Sequence, residues 1–153
     1  MESVHVCFVC SGNICRSPVA EKVFTARLAD AGLSGAVRVT SAGTGPWHAG
    51  EPMDRRAAAS LRDRGYDTDH RARQIDDELL DADLLVAATH DHVRDLVAAG
   101  ADPARVVLLR SLDPGAPSHA EVPDPYFGGD DGFAEVIEMV EAAMPGLVER
   151  VRS

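Results

Sequence analysis

Cys10 and Arg16 stand six positions apart in Cys10-Ser11-Gly12-Asn13-Ile14-Cys15-Arg16-Ser17, between an apolar run and Ser17-Pro18, a pair suited to starting a helix. That arrangement fits a tetrahedral dianion. Loop N–H groups and a helix N-terminus supply partial positive charge, and Arg16 offers a planar fork to two oxygens. The same donors favour the thiolate of Cys10, so a sulfur nucleophile would face a bound phosphoryl group. An alkoxide or phenolate leaving from phosphorus needs a proton, and the loop holds no acid to give it. Asp124 is the candidate, because Pro123 and Pro125 confine its backbone to extended conformations and its carboxyl is aimed with little ordering cost.

The remaining cysteines and histidines divide by context. Cys7, inside the apolar run, reads as a buried and inert thiol. Cys7 and Cys10 have Cys-x-x-Cys spacing, but on one extended strand their α-carbons are ~10 Å apart at ~3.3 Å per residue. A disulfide spans at most ~7 Å, so a redox pair there is improbable. Cys10 and Cys15 are more plausible partners, because the loop between them curls back. His90 and His92 lie two apart, face different directions on a helix, and read as solvent-facing residues rather than metal ligands. The loop also lacks the Gly-Lys-Ser/Thr ending of nucleotide-binding loops, so nucleoside triphosphate hydrolysis has little support.

These groups must be carried by a scaffold, and the hydrophobic pattern describes one. His5 to Val9, Val37 to Ser41, Leu84 to Ala87 and Val106 to Leu109 read as short strands. A first helix is expected with Ser17 as cap and Pro18 at its first position, running to Ala31 before Gly32. Others are expected from Asp54 to Arg64, from Thr89 to Ala99, and from about Asp131 to Val151, the last kinked or divided at Pro145. Strands alternating with helices imply a parallel sheet covered on both faces, with ligands bound beyond the strands' carboxyl ends. Two long irregular stretches, Thr44 to Met53 and Ser111 to Asp130, could each close over a site at the end of the first strand.

Composition bounds the function. The 153 residues fit one domain, 1–153, and 45% apolar with 26% charged residues is globular. A net charge of -10 makes nonspecific nucleic-acid binding a poor first expectation. It also requires a local site to overcome an unfavourable global field if the substrate is anionic. No apolar run approaches the ~20 residues that span a bilayer, and the first residues lack the basic start of a secretory signal. A reducing, cytoplasmic location is the expectation, with export lacking a signal peptide left open.

The fuller form Cys-x-Gly-Asn-Ile-Cys-Arg-Ser-Pro, together with Ser41-Ala42-Gly43-Thr44, Trp47-His48, Gly65-Tyr66 and Asp124-Pro125-Tyr126-Phe127-Gly128, resembles the low-molecular-weight protein tyrosine phosphatases. The likeness covers nearly the whole chain and is nearest to the actinobacterial type. It implies an α/β fold, with a four-stranded parallel sheet and helices on both faces. It also implies hydrolysis of phosphomonoesters through a cysteinyl-phosphate intermediate, without metal or cofactor. The substrate would be a phosphotyrosine-containing protein and the product inorganic phosphate, with no nucleic-acid or membrane partner. The protein is expected to be a monomer, with weak self-association open.

Residue by residue, the resemblance makes Cys10 the nucleophile, Arg16 the ligand of the phosphoryl oxygens, and Asp124 the acid. Ser11, Gly12, Asn13, Ile14, Cys15 and Ser17 complete the phosphate-binding loop, with Ser17 hydrogen-bonded to the Cys10 sulfur. Asn13 is expected in a left-handed backbone conformation, which asparagine tolerates, and Ser41 and His70 are expected as supporting hydrogen-bond partners. Trp47 and Tyr126 would wall a cleft for a flat phenyl ring, with His48 and Phe127 on its rims. Cys15 would protect Cys10 through a reversible disulfide.

The chain departs from its relatives in three places. Tyr126-Phe127 stands where Tyr-Tyr is commoner. Ile14 stands where phosphoarginine-specific relatives carry Thr, and its apolar branch favours a phenyl ring. Thr89-His90-Asp91-His92 replaces a frequent Asp-x-Asn, leaving Thr89 and Asp91 as possible caps. Two other classes share the motif. An arsenate reductase needs two later cysteines, and none follows Cys15. An inactive phosphate-binding module is disfavoured because Cys10, Arg16 and Asp124 are all present.

Overall fold

A computed structural model of the chain describes residues 3–126 and 130–152. Four parallel strands, β1 (Val4–Cys10), β2 (Val37–Gly43), β3 (Leu84–Ala87) and β4 (Val106–Leu108), form one sheet in the order β2-β1-β3-β4. Among the described residues five α-helices accompany it: α1 (Arg16–Asp30), α2 (Arg55–Asp63), α3 (Asp77–Leu80), α4 (His90–Ala98) and α5 (Asp130–Arg152). The expected four-stranded α/β architecture is therefore present.

Strand alternation sorts the core into two layers. Val6, Phe8 and Cys10 of β1 join Val23, Phe24 and Leu28 of α1 and Phe133, Ile137 and Leu147 of α5 on one face. Cys7 and Val9 join Leu79, Leu96 and Leu85 on the other. Register brings Cys10 opposite Gly43 and Val9 opposite Ala87. The carboxyl ends of β1, β2 and β3 thus form one platform, with Cys10 at its rim.

Three local expectations are corrected. Helix α1 begins at Arg16, with Cys15 at the capping position and no side-chain cap, so Ser17 does not cap it. The Ser17 hydroxyl is taken up by the Cys10 sulfur and Asn13 instead. Pro18 is consequently the third helical residue, a place it tolerates because the first turn's N–H groups lack intrahelical partners. Pro145 does not divide the last helix: α5 runs unbroken for 23 residues. A side chain on Gly146 would come within 2.2 Å of the Leu112 carbonyl oxygen, so the helix presses directly against the backbone of the 3-10 turn Leu109–Leu112. Met144 and Leu147 are buried beside it, and that packing sustains the helix across the missing hydrogen bond. The short α3, capped by Asp76, was not anticipated from the pattern.

Candidate active site

The turn from β1 into α1 is held by its carbonyl groups. Thr44 N–H donates to the Cys10 oxygen at 2.9 Å, Gly45 N–H to Ser11 at 3.2 Å, Asp54 N–H to Ile14 at 2.9 Å and Val19 N–H to Cys15 at 3.1 Å. His70 Nε2 donates to the Asn13 oxygen at 2.7 Å. Among the described residues, no amide of Ser11 to Cys15 donates to a protein acceptor in return. With these carbonyls engaged and the loop's N–H groups without protein acceptors among the described residues, the loop keeps donors for an anion.

Asn13 fixes the curl. Its φ is 60°, the left-handed conformation expected for it, and it is completely buried. Its Nδ2 donates to Ser17 Oγ at 2.8 Å and to Ser41 Oγ at 3.0 Å, while its Oδ1 accepts from Arg73 N–H at 3.0 Å. Ser41 Oγ in turn donates to Glu21 Oε1 at 2.7 Å, and His70 Nδ1 lies 3.7 Å from the same carboxylate oxygen. The expected supports Ser41 and His70 are both in contact with the loop. Glu21 and Arg73 complete the bracket and were not singled out from the sequence. Glu21 is one helical turn beyond Ser17, on the same side of α1, and that spacing was the available signal.

The sulfur of Cys10 lies 3.0 Å from Ser17 Oγ. Asn13 donates to that hydroxyl, whose single proton has two acceptors in reach, the sulfur and the Ala42 carbonyl oxygen at 3.5 Å. Cys10 is 2% exposed, yet it floors a cleft of about 200 Å³ lined also by Ser11, Gly12, Ile14, Cys15, Arg16, Trp47, His48, Asp124 and Tyr126. All the expected site residues of the two long loops except Phe127 meet here, and Phe127 lies outside the described residues. Trp47 is 68% exposed and Tyr126 39% exposed, and both line the cleft. Ring centroids of His48 and Tyr126 are 6.3 Å apart.

Close approach explains one glycine. A side chain at Gly43 would sit 2.6 Å from the Ser11 carbonyl oxygen, so only glycine lets the end of β2 lie against the loop.

Arg16 joins the loop to the segment that bears the acid. One guanidinium nitrogen donates to the Val122 carbonyl at 3.1 Å, and the other is 3.7 Å from Asp124 Oδ2. Val122 N–H is itself anchored to the Ala88 oxygen, at the end of β3. Asp124 Oδ1 accepts from Tyr126 N–H at 3.0 Å, which turns the chain sharply, and its side chain is 45% exposed toward the cleft. Arg56 of α2 donates to the Tyr126 oxygen at 2.7 Å and lies over that ring at 5.8 Å, a strut for the acid loop that sequence reading missed.

Burial separates the other thiols from this chemistry. It pushes the Cys7 thiol up to about 12. The Cys15 thiol is also driven up, first by burial and then by Asp54 and Cys10. Cys7 is fully buried as expected, and Cys15 lines the cleft with its thiol held neutral.

His92 corrects a further expectation. It is 4% exposed rather than solvent-facing, with Nε2 2.8 Å from Ser11 Oγ and Nδ1 3.0 Å from Thr89 Oγ1. Burial, and then Arg16, lowers it to about 4. Thr89 caps α4 as anticipated.

Three comparisons bear on what this geometry is for. The family model for low molecular weight phosphotyrosine protein phosphatases matches residues 5–153. The chain is 55% identical over 147 residues to low molecular weight protein-tyrosine phosphatase A of Mycobacterium tuberculosis, covering 95% of this chain and 90% of the relative. It is 54% identical to the low molecular weight protein-tyrosine-phosphatase of Streptomyces coelicolor, covering 97% and 93%. Its fold superposes on the crystal structure of a protein tyrosine phosphatase from Entamoeba histolytica with a TM-score of 0.93 at 31% identity, over 98% of this chain and 97% of that one.

Proposed function

The chain belongs to the low molecular weight phosphotyrosine protein phosphatase family, and on that premise we propose that it hydrolyses phosphotyrosine in proteins through a cysteinyl-phosphate intermediate. The observation that most supports this reading is the loop in which the carbonyls of Cys10, Ser11, Asn13, Ile14 and Cys15 are engaged while, among the described residues, the amides of Ser11 to Cys15 lack protein acceptors. Such a loop suits a phosphoryl group, and Cys10 lies beneath it.

In the first step the Cys10 thiolate attacks phosphorus in line, so that an S–P bond forms as the P–O bond to tyrosine breaks. Asp124, protonated, gives its proton to the departing phenolate oxygen. In the second, water attacks phosphorus while the Asp124 carboxylate takes a proton from it. The S–P bond breaks, inorganic phosphate leaves, and the thiolate returns. Arg16 and the loop amides hold the equatorial oxygens, where charge develops. Ser17 donates to the sulfur and stabilises it both as attacking and as leaving group.

Substrate choice follows from the walls. Trp47 and Tyr126 flank the mouth and Ile14 lies in the loop, so the cleft presents apolar surface to a phenyl ring. A phosphoserine stem is too short to bring phosphorus to Cys10 between these walls. Cys15 beside Cys10 supports a protective role: a Cys10 sulfenic acid would condense with the Cys15 thiol, forming a disulfide and releasing water. Residues 1–153 read as one phosphatase domain acting as a monomer in the cytoplasm. Among the described residues no helix is long and apolar enough to cross a membrane.

The deciding experiment measures release of phosphate from phosphotyrosine, phosphoserine and phosphoarginine peptides with chelator present. Phosphotyrosine alone should be turned over, and Cys10→Ser should abolish it while leaving phosphate binding. Equal rates on all three, or activity surviving in Cys10→Ser, would overturn the assignment. A reductant-dependent arsenate assay should show nothing.

A further inference from the structure

We propose that His92 is a positioning residue of the phosphate-binding loop, pinning Ser11 from α4 so that the stretch just after Cys10 keeps the arc its amides need. Ser11 directly follows the nucleophile. Among the described residues its hydroxyl makes one hydrogen bond, to His92 Nε2 at 2.8 Å. The ring is held at its other end by Thr89 Oγ1 at 3.0 Å, and Thr89 also accepts from His92 N–H as the cap of α4. A neutral imidazole has one N–H and one lone pair, and two hydroxyls flanking it satisfy both in either tautomer. The loop is thereby gripped at two points, Asn13 from the β2 side and Ser11 from the α4 side.

The surroundings keep this grip constant with pH. Arg16 faces the ring from α1, Asp95 from α4, and Glu121 and Asp124 from the acid loop. Burial and Arg16 outweigh the three carboxylates, and the imidazole stays neutral down to about 4. A second positive charge beside Arg16 is thus avoided across the mildly acid range. A histidine in this place supplies a reach that Asn would lack, since the Nδ1 and Nε2 contacts lie at opposite sides of the ring.

His92's role presupposes the phosphate-binding loop assigned above, and a double-mutant cycle separates the two. The kcat and KM on a phosphotyrosine peptide and the Ki of inorganic phosphate are measured for wild type, His92→Ala, His92→Gln, Ser11→Ala and the His92→Ala/Ser11→Ala pair. Ser11→Ala and His92→Ala should each lower kcat/KM about 3- to 10-fold, the worth of one neutral hydrogen bond, and raise the phosphate Ki in proportion. The pair should be no worse than the poorer single variant, and His92→Gln, whose amide reaches the Nε2 position, should recover most of the loss. Losses that multiply in the pair, or a Ser11→Ala loss under threefold, would overturn the inference. Should His92→Ala not fold, Ser11→Ala and His92→Gln still decide it. Wild type that neither turns over phosphotyrosine nor binds phosphate would instead overturn the assignment of the loop.

Discussion

Replacing Asn13 tests whether the catalytic loop is held by its side chain or only by its backbone curl. Asn13→Gly leaves the left-handed conformation available at φ 60° but removes the bonds to Ser17, Ser41 and Arg73, which measure 2.8, 3.0 and 3.0 Å. The Arg73 N–H loses its acceptor and the Ser17 hydroxyl loses a donor. At about 1 kcal/mol for each bond, the fully buried site should lose about 3 kcal/mol of folding stability. Asn13→Ala loses the same bonds and must also place a β-carbon in the left-handed region, which adds about 1 kcal/mol. Urea denaturation reads both as falls in midpoint at unchanged slope. Inhibition by inorganic phosphate reads the loop itself, and its Ki should rise at least tenfold in both variants, on the reasoning that about 1.4 kcal/mol is a factor of ten. If Asn13→Gly stays within about 1 kcal/mol of wild type and binds phosphate normally, the side-chain bonds of Asn13 to Ser17, Ser41 and Arg73 do not hold the loop.

Other perturbations address separate parts of the site. Asp124→Asn should slow phosphotyrosine turnover at least a hundredfold, near the lower range for general acid catalysis, while the phosphate Ki changes little. Gly43→Ala should cost about 2 kcal/mol and weaken phosphate binding, because the added carbon would sit 2.6 Å from the Ser11 oxygen. His92 makes folding stability fall on acidification. Its ring is lowered from 6.5 to about 4 in the folded chain, so between those values the unfolded chain takes up a proton that the folded one refuses. The stability is complete above 6.5 and declines by about 3 kcal/mol as the pH approaches 4. Urea denaturation at neutral and mildly acid pH should show a smaller acid loss in His92→Gln, and equal losses would refute it. Cys15→Ser should make peroxide inactivation faster and less reversible by reductant, as scored by recovered turnover.

Much of this was legible in the sequence where cause and effect are local. The end of β1, the turn after it and the helix after Asp54 follow from apolar alternation, glycine and helical spacing closed by Gly65, each acting within a few residues. The left-handed Asn13 follows from the resemblance and from asparagine's tolerance. What local pattern misjudged was competition for polar groups. Ser17 has the chemistry of a cap, but a sulfur and an amide from the folded loop claim it. His92 has the spacing of a surface residue, but the loop end of β1 covers it, and nothing between positions 11 and 92 announces that meeting. Glu21, Arg73 and Arg56 escaped for the same reason, since each is an ordinary helix or loop charge until partners distant in sequence arrive. That the last helix runs on undivided past Pro145 was not legible, because packing against the Leu109–Leu112 turn cannot be seen from within one helix.

The engaged loop carbonyls have a consequence for how the molecule comes to life. Their donors arrive from Thr44 and Gly45 after β2, from Asp54 before α2, from His70 further on and from α1 itself. A nascent chain that had made only its first forty residues would own the sulfur and the guanidinium, yet have no mould in which to set them. Competence is therefore a property of the finished tertiary structure, and the reactive thiol is not armed until the rest of the chain has closed around its turn.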